Sequence, residues 1–188
     1  MRLSIIAGTV LLAASSAAMA NGLDFQLSNK TAQLTFLTDS GLLGYSGAQL
    51  SFGGFTNSNN DYMGEVGLLV QGIPAGRSPL TFGLGVNAYA AHIHQWQDNV
   101  QALAISGLAK YTIPNRMPMA VVLDAHYAPE ITTFSSGKSF TDVGLNYQIE
   151  VTPGATAYAG YRLLQTNVKN HGEYNLDDGF HVGIRLAF

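Results

Sequence analysis

The chain has 188 residues, a net charge of −3 at pH 7 and no cysteine, which excludes disulfide frameworks and cysteine metal sites. No basic run is present, so nucleic acid is not an expected partner. Only 11% of residues are charged, whereas glycine numbers 21 and Tyr and Phe nine each; a water-exposed surface is usually about a quarter or more charged, so an ordinary soluble domain fits poorly.

Residues 1–20, MRLSIIAGTVLLAASSAAMA, combine a basic start at Arg2, an apolar run from Leu3 to Ala14, and Ala18-Met19-Ala20 before Asn21. That is the pattern of a secretory signal peptide cleaved at an A-x-A site, with Ala18 and Ala20 as its small residues. The apolar run is short for a membrane helix, which needs about 20 residues. Residues 21–188 then form one domain. No later segment has the length of a membrane helix, so any insertion must be by strands.

The first mature stretch, LDFQLSNKTAQLTFLT, changes phase. A two-residue turn at Asn29-Lys30 restores it, pairing Leu27 with Ala32, Phe25 with Leu34 and Leu23 with Phe36 on one face. The alternative is one strand with a bulge near Asn29. The hairpin brings the total to ten strands, against an alternative of eight.

Eight further segments alternate with period two, the mark of strands with one oily and one polar face. SGAQLSFGGF sets Ala48, Leu50 and Phe52 against Gln49, Ser51 and Gly53. YMGEVGLLV sets Val66, Leu68 and Val70 against Glu65, Gly67 and Leu69. LTFGLGVNAY sets Leu80, Phe82, Leu84, Val86 and Ala88 against Thr81, Gly83, Gly85, Asn87 and Tyr89. In QALAISGLAKY, Leu103, Ile105 and Tyr111 oppose Ser106 and Lys110. MAVVLDAHY places Asp124 and His126 on the polar face, opposite Val121, Leu123 and Tyr127. DVGLNYQIEV places Asp142, Gly144, Asn146, Gln148 and Glu150 there, and AYAGYRLLQ places Tyr158, Gly160, Arg162 and Leu164 there. The last segment, GFHVGIRLAF, sets Phe180, Val182, Ile184, Leu186 and Phe188 against His181, Gly183 and Arg185. No helical period follows residue 20.

The connections differ in character. TPGA, TIPNRMP and GIPAGRSP read as Pro- and Gly-rich turns. TNSNND, HIHQWQDNV, PEITTFSSGKS and TNVKNHGEYNLD read as longer polar loops. Short turns at one end and long loops at the other suit an outer-membrane barrel, with Trp96, Phe134 and Tyr174 extracellular and Pro74, Pro114 and Pro153 periplasmic.

Alternation alone does not say which face points outward, since soluble barrels share the period. Three features favour the oily face outside. The polar face carries most of the glycines, as the crowded concave side of a small barrel requires. Its charges are too sparse for a surface in water. No helix is available to cover the oily face, whereas lipid can, and a closed barrel satisfies every backbone group internally. The expected fold is therefore all-β: a transmembrane antiparallel up-and-down barrel with a polar lumen and a lipid-facing apolar exterior. The alternating Phe180, Val182, Ile184, Leu186 and Phe188, closing on an aromatic, resemble the C-terminal signal by which outer-membrane barrels are recognised for assembly. Outer-membrane lipid, the barrel assembly machinery and periplasmic chaperones are the partners this implies.

DDYMGEVGLLVQGIPAG…PLTFGLGVNAY, followed by TAYAGYRLLQTNV…LDDGFHVGIRLAF, resembles the YfaZ family of bacterial outer-membrane proteins. The likeness spans essentially the whole mature chain, chiefly Asp61 to Tyr89 and Thr156 to Phe188. It implies an outer-membrane barrel and supplies no catalytic residue.

The polar face carries Glu65, Lys110, Asp124, His126, Asp142, Glu150, Arg162, His181 and Arg185, read as an ionic network that fills the lumen, since inward polar groups must find partners. Asp124, His126 and Ser106 can also be drawn as a hydrolase triad, but alternation produces such sets by chance. His92 and His94, near Trp96 and Asp98, are two potential metal ligands, too few for a structural site. No cofactor motif is present. The expected function is a structural or interaction barrel without catalysis. A narrow porin-like channel for small solutes and a membrane-embedded lipid hydrolase are the alternatives.

Overall fold

The structure, a computed structural model, describes residues 21–39, 47–72, 79–115 and 117–188. The signal-cleavage residues Ala18 and Ala20 lie outside the described residues, as does Pro74. The strands are β1 (Gly22–Ser28), β2 (Thr31–Asp39), β3 (Ala48–Asn57), β4 (Tyr62–Gly72), β5 (Leu80–Ile93), β6 (Asp98–Ile113), β7 (Met119–Ala128), β8 (Thr133–Ser135), β9 (Gly137–Thr152), β10 (Ala155–Val168) and β11 (Gly172–Ala187).

Ten of these close an antiparallel barrel in which chain neighbours pair throughout. The three-residue β8 is the exception; it pairs with β6 above β7. The seam joins β1 to β11 from Gly22↔Ala187 to Ser28↔His181, and two backbone bonds between Asn21 and Phe188 (3.0 and 2.8 Å) extend it to the last residue. The opening hairpin has the register its hydrophobic phase predicts, Leu27↔Ala32, Phe25↔Leu34 and Leu23↔Phe36. Ten strands, not eight, is the count.

The oily face points outward. Leu84 is 73% exposed, Ile105 69% and Phe180 80%, and Phe52, Val66, Leu123, Leu145, Val182 and Ile184 are exposed with them. The opposite face is enclosed. A sheet curled into a barrel has less area inside than outside, so bulky residues fit the convex side and small ones the concave side.

The contrast in loop length does not hold. At the end nearest Trp96, the segments read as loops are largely strand: β5 reaches Ile93, β10 reaches Val168 and β11 starts at Gly172. Connections about as long as the longest there, between Asp39 and Ala48 and between Gly72 and Leu80, lie at the other end. The backbone ladder continues whether or not the side chains alternate in polarity, so polar strand extensions look like loops in sequence. In β11 a bulge also breaks the period. Leu164 pairs with Asp177 and Gln165 with Asn175, leaving Leu176 as the extra residue, and both Leu176 and Asp177 turn inward. Trp96, Phe134 and Tyr174 nonetheless share one end of the barrel, and Pro114 and Pro153 the other, together with Asn21 and Phe188, the first and last described residues.

The interior is divided. Beneath the Trp96 end, Phe55, Tyr89, Ile93, Val100, Phe140, Leu164 and Val168 pack with smaller residues into an apolar core, covered by Trp96 and Tyr174. Polar side chains fill the middle and the end that carries the termini.

Candidate functional site

The interior polar groups form linked sets. Arg162 and Asp142, on neighbouring strands and both buried, meet in a bidentate pair, Nε to Oδ1 at 2.8 Å and Nη2 to Oδ2 at 2.7 Å. Arg162 Nη1 also donates to Gln33 Oε1. Gln33 in turn donates to Glu65 (3.2 Å), which also accepts from Thr35 (3.3 Å). Across the seam, Arg185 Nε and Nη2 each reach Asp24 Oδ2 at 2.7 Å, and Tyr158 donates to the other oxygen of Asp24. Asn146 donates to Asp124 at 3.2 Å and is hydrogen-bonded to His181 Nε2 at 2.6 Å. Charge-assisted bidentate bonds of this kind hold the strands in register as well as satisfying the charges.

These groups line a cavity of about 420 Å³ whose walls include Glu65, Lys110, Asp124, His126, Asp142, Arg162, His181 and Arg185. Lining residues Gln71 and Lys110 stand near the ends of β4 and β6, so the cavity reaches the end with both termini. Glu150 does not join it. It is exposed at the end of β9, where its backbone N–H donates to Pro118. Alternation assigns Glu150 to the inner face, but so close to the barrel mouth that face meets solvent.

The opposite end is covered by a side-chain lid. The wholly buried Asp61 accepts from the backbone N–H of His94 (2.8 Å), from Asn57 (2.9 Å) and from the Tyr174 hydroxyl (2.7 Å). Thr31 donates to Asp177 at 3.1 Å and Asn57 to the carbonyl of Leu176 at 3.1 Å. Trp96 stacks on His171 at 4.5 Å. The bonds to Tyr174, Leu176 and Asp177 lie where β11 pairs with β10 but has no partner on its other side, because β1 ends at Ser28, opposite His181, while β11 begins nine residues earlier at Gly172.

The hydrolase arrangement is not assembled. His126 Nδ1 lies 3.0 Å from Ser106 Oγ, but Ser106 spends its proton on Asn87 Oδ1, so His126 must donate to the serine rather than take its proton. Asp124 bonds Asn146, not His126. His92 and His94 have separate partners, Asn99 and Gln97, and no group of three ligating side chains suited to a metal occurs among the described residues.

The sequence profile of the family described as YfaZ precursor matches residues 1–188, the whole chain. The chain belongs to the YfaZ family. No curated protein matches it.

In this YfaZ-family barrel the interior glycines accommodate particular neighbours. Gly53 is the direct cross-strand partner of Glu65, and a Cβ on it would come within 2.5 Å of Glu65 Oε1. Gly144 faces both Asp124 and Arg162, and its Cβ would meet Asp124 Oδ2 at 2.6 Å. Gly183 underlies the ring of Tyr158. Sequence reasoning missed Asp24, Gln33 and Tyr158 as network members. Asp24 was hidden by the phase change in the first hairpin; the signal available for it was its position between the outward Leu23 and Phe25.

Proposed function

We propose that the protein is a small outer-membrane β-barrel, exported by a cleaved signal peptide, closed to solute flow, with a structural or interaction role and no catalysis. The outward set headed by Leu84, Ile105 and Phe180 carries the membrane reading. No water-soluble surface of this extent is tolerated, since exposed apolar patches above a few hundred Å² mark lipid or partner contacts. The Asp61 lid and the apolar core support closure, because together they stand between the polar cavity and the Trp96 end. Asn21 and Phe188, at the cavity end, fit a mature chain that inserts from the periplasm. On this reading lipid contacts the outer belt, the polar interior is the lumen, and chaperones and the assembly machinery handle the chain before insertion.

The deciding experiment is conductance in planar bilayers. Refolded protein is expected to insert without discrete current steps. Stable single-channel steps would overturn closure and establish the narrow-channel reading.

A further inference from the structure

Two observations single out the polar cavity. The first is an excess of carboxyl groups over cationic side chains. The carboxyl groups around the cavity are those of Asp24, Glu65, Asp124 and Asp142, and the Lys and Arg side chains are Lys110, Arg162 and Arg185. Asp142 and Asp24 each have an arginine in direct contact. Glu65 and Asp124 form no ion pair among the described residues and are held by the neutral groups Gln33, Thr35 and Asn146. The lining therefore holds one more carboxyl group than it holds Lys and Arg side chains.

The second is a pair of unsatisfied polar atoms. The Tyr89 hydroxyl and His181 Nδ1 have no hydrogen-bond partner among the described residues, although these side chains are only 4% and 3% exposed. Both residues line the same cavity. Tyr89 is the direct cross-strand partner of Glu65. His181 is joined to Asp124 through Asn146. Each carboxylate without a counter-cation thus has an unpartnered donor or acceptor beside it. Buried polar groups are paired in the great majority of cases, and exceptions call for an explanation.

We propose that the cavity binds a small, hydroxylated organic cation, a primary amine of amino-sugar size, from the periplasmic side. An ammonium supplies a counter-charge and three donors, which Glu65 or Asp124 can accept as a carboxylate. Amide and hydroxyl side chains such as Gln49, Gln148 and Ser51 dominate the rest of the wall and suit hydroxyl groups rather than an aliphatic chain. The volume, about 420 Å³, lies within the roughly 300–1,000 Å³ of small-molecule sites. With the lid closed the site is a dead end, so it would hold its ligand rather than conduct it. The inference depends on the cavity and not on closure: current steps in bilayers would remove the function proposed above and leave the binding test unaffected.

The test is calorimetric titration of refolded protein in detergent micelles with glucosamine, glucose and n-butylamine. Glucosamine is expected to bind, with glucose and butylamine at least tenfold weaker. Glu65→Gln and Asp124→Asn should each weaken glucosamine at least tenfold, and Glu150→Gln, outside the cavity, should leave it unchanged. Heat-modifiable gel mobility checks that each variant is folded. Absence of glucosamine binding, equal binding of glucose, or unchanged affinity in both cavity variants would overturn the proposal. Equal binding of butylamine would overturn the assignment of hydroxyl contacts. Should both variants fail to fold, the glucosamine-to-glucose ratio in the native protein decides alone.

Discussion

Arg162 and Asp142 meet through two near-parallel hydrogen bonds of 2.8 and 2.7 Å, with both side chains enclosed in the barrel. The pair ties β10 to β9, and through Gln33 it reaches across the interior to β2. Removing one partner strands the other charge, at a cost of about 3–5 kcal/mol. Arg162→Ala or Asp142→Ala should therefore lower stability by that amount in urea unfolding from lipid vesicles. Replacing both by apolar residues of similar volume should cost clearly less than either single change. Equal losses in all three variants would refute this account of the pair.

The glycine opposite Asp124 gives a second test. Gly144→Ala puts a methyl group where Asp124 Oδ2 now lies at 2.6 Å and forces the carboxylate off its bond with Asn146. Overpacking of this kind costs about 1–3 kcal/mol. Gly64→Ala, where an added Cβ meets nothing within 4 Å, is the control and should be close to neutral in the same unfolding assay.

The lid should be separable from the barrel. Asp61→Ala leaves the backbone N–H of His94, the Asn57 amide and the Tyr174 hydroxyl without their acceptor, and each such loss costs about 1–3 kcal/mol. Proteolysis of the connections around Trp96 and His171 should accelerate markedly, while the heat-modifiable shift of the folded barrel persists. Unchanged proteolysis would mean that the apolar core, not Asp61, holds this end together.

Orientation can be read by cysteine labelling. The exposed residues Glu173 and Met117 stand at opposite ends of the barrel. In intact cells an impermeant thiol reagent should label Glu173→Cys and not Met117→Cys. The reverse pattern would invert the topology.

The last residue separates assembly from stability. Phe188 closes the seam through its backbone bonds to Asn21 and lies at the rim, where even a charge costs only about 0–1 kcal/mol, against about 2–4 for Arg or Lys at the midplane. Deleting Phe188 should lower the amount of barrel at the surface while refolding in vitro stays near normal. Leu123→Arg, outward near mid-strand, should instead weaken the folded barrel. Normal surface levels for the deletion would mean that the aromatic ending is no assembly signal.

Sequence reasoning reached the strands, their faces and even the register of the first hairpin, because alternation with period two is a local property that each strand carries by itself. The face of Leu84 or Arg162 follows from parity once glycines mark the concave side. Parity does not measure height along the barrel. It could not tell that Glu150 stands at the open mouth, that Tyr89 packs into an apolar core while also lining the polar cavity, or that Asp177 turns inward through a bulge.

What the sequence by itself determined is which residues share a surface, since neighbouring side chains on a strand must point to opposite sides. Only the closed barrel decided which residues touch. Asp24 and Arg185 lie 161 positions apart, and Asp61 and Tyr174 lie 113 apart. Their meeting depends on strand stagger and on β1 being shorter than β11, quantities set by ring closure as a whole and by no single strand.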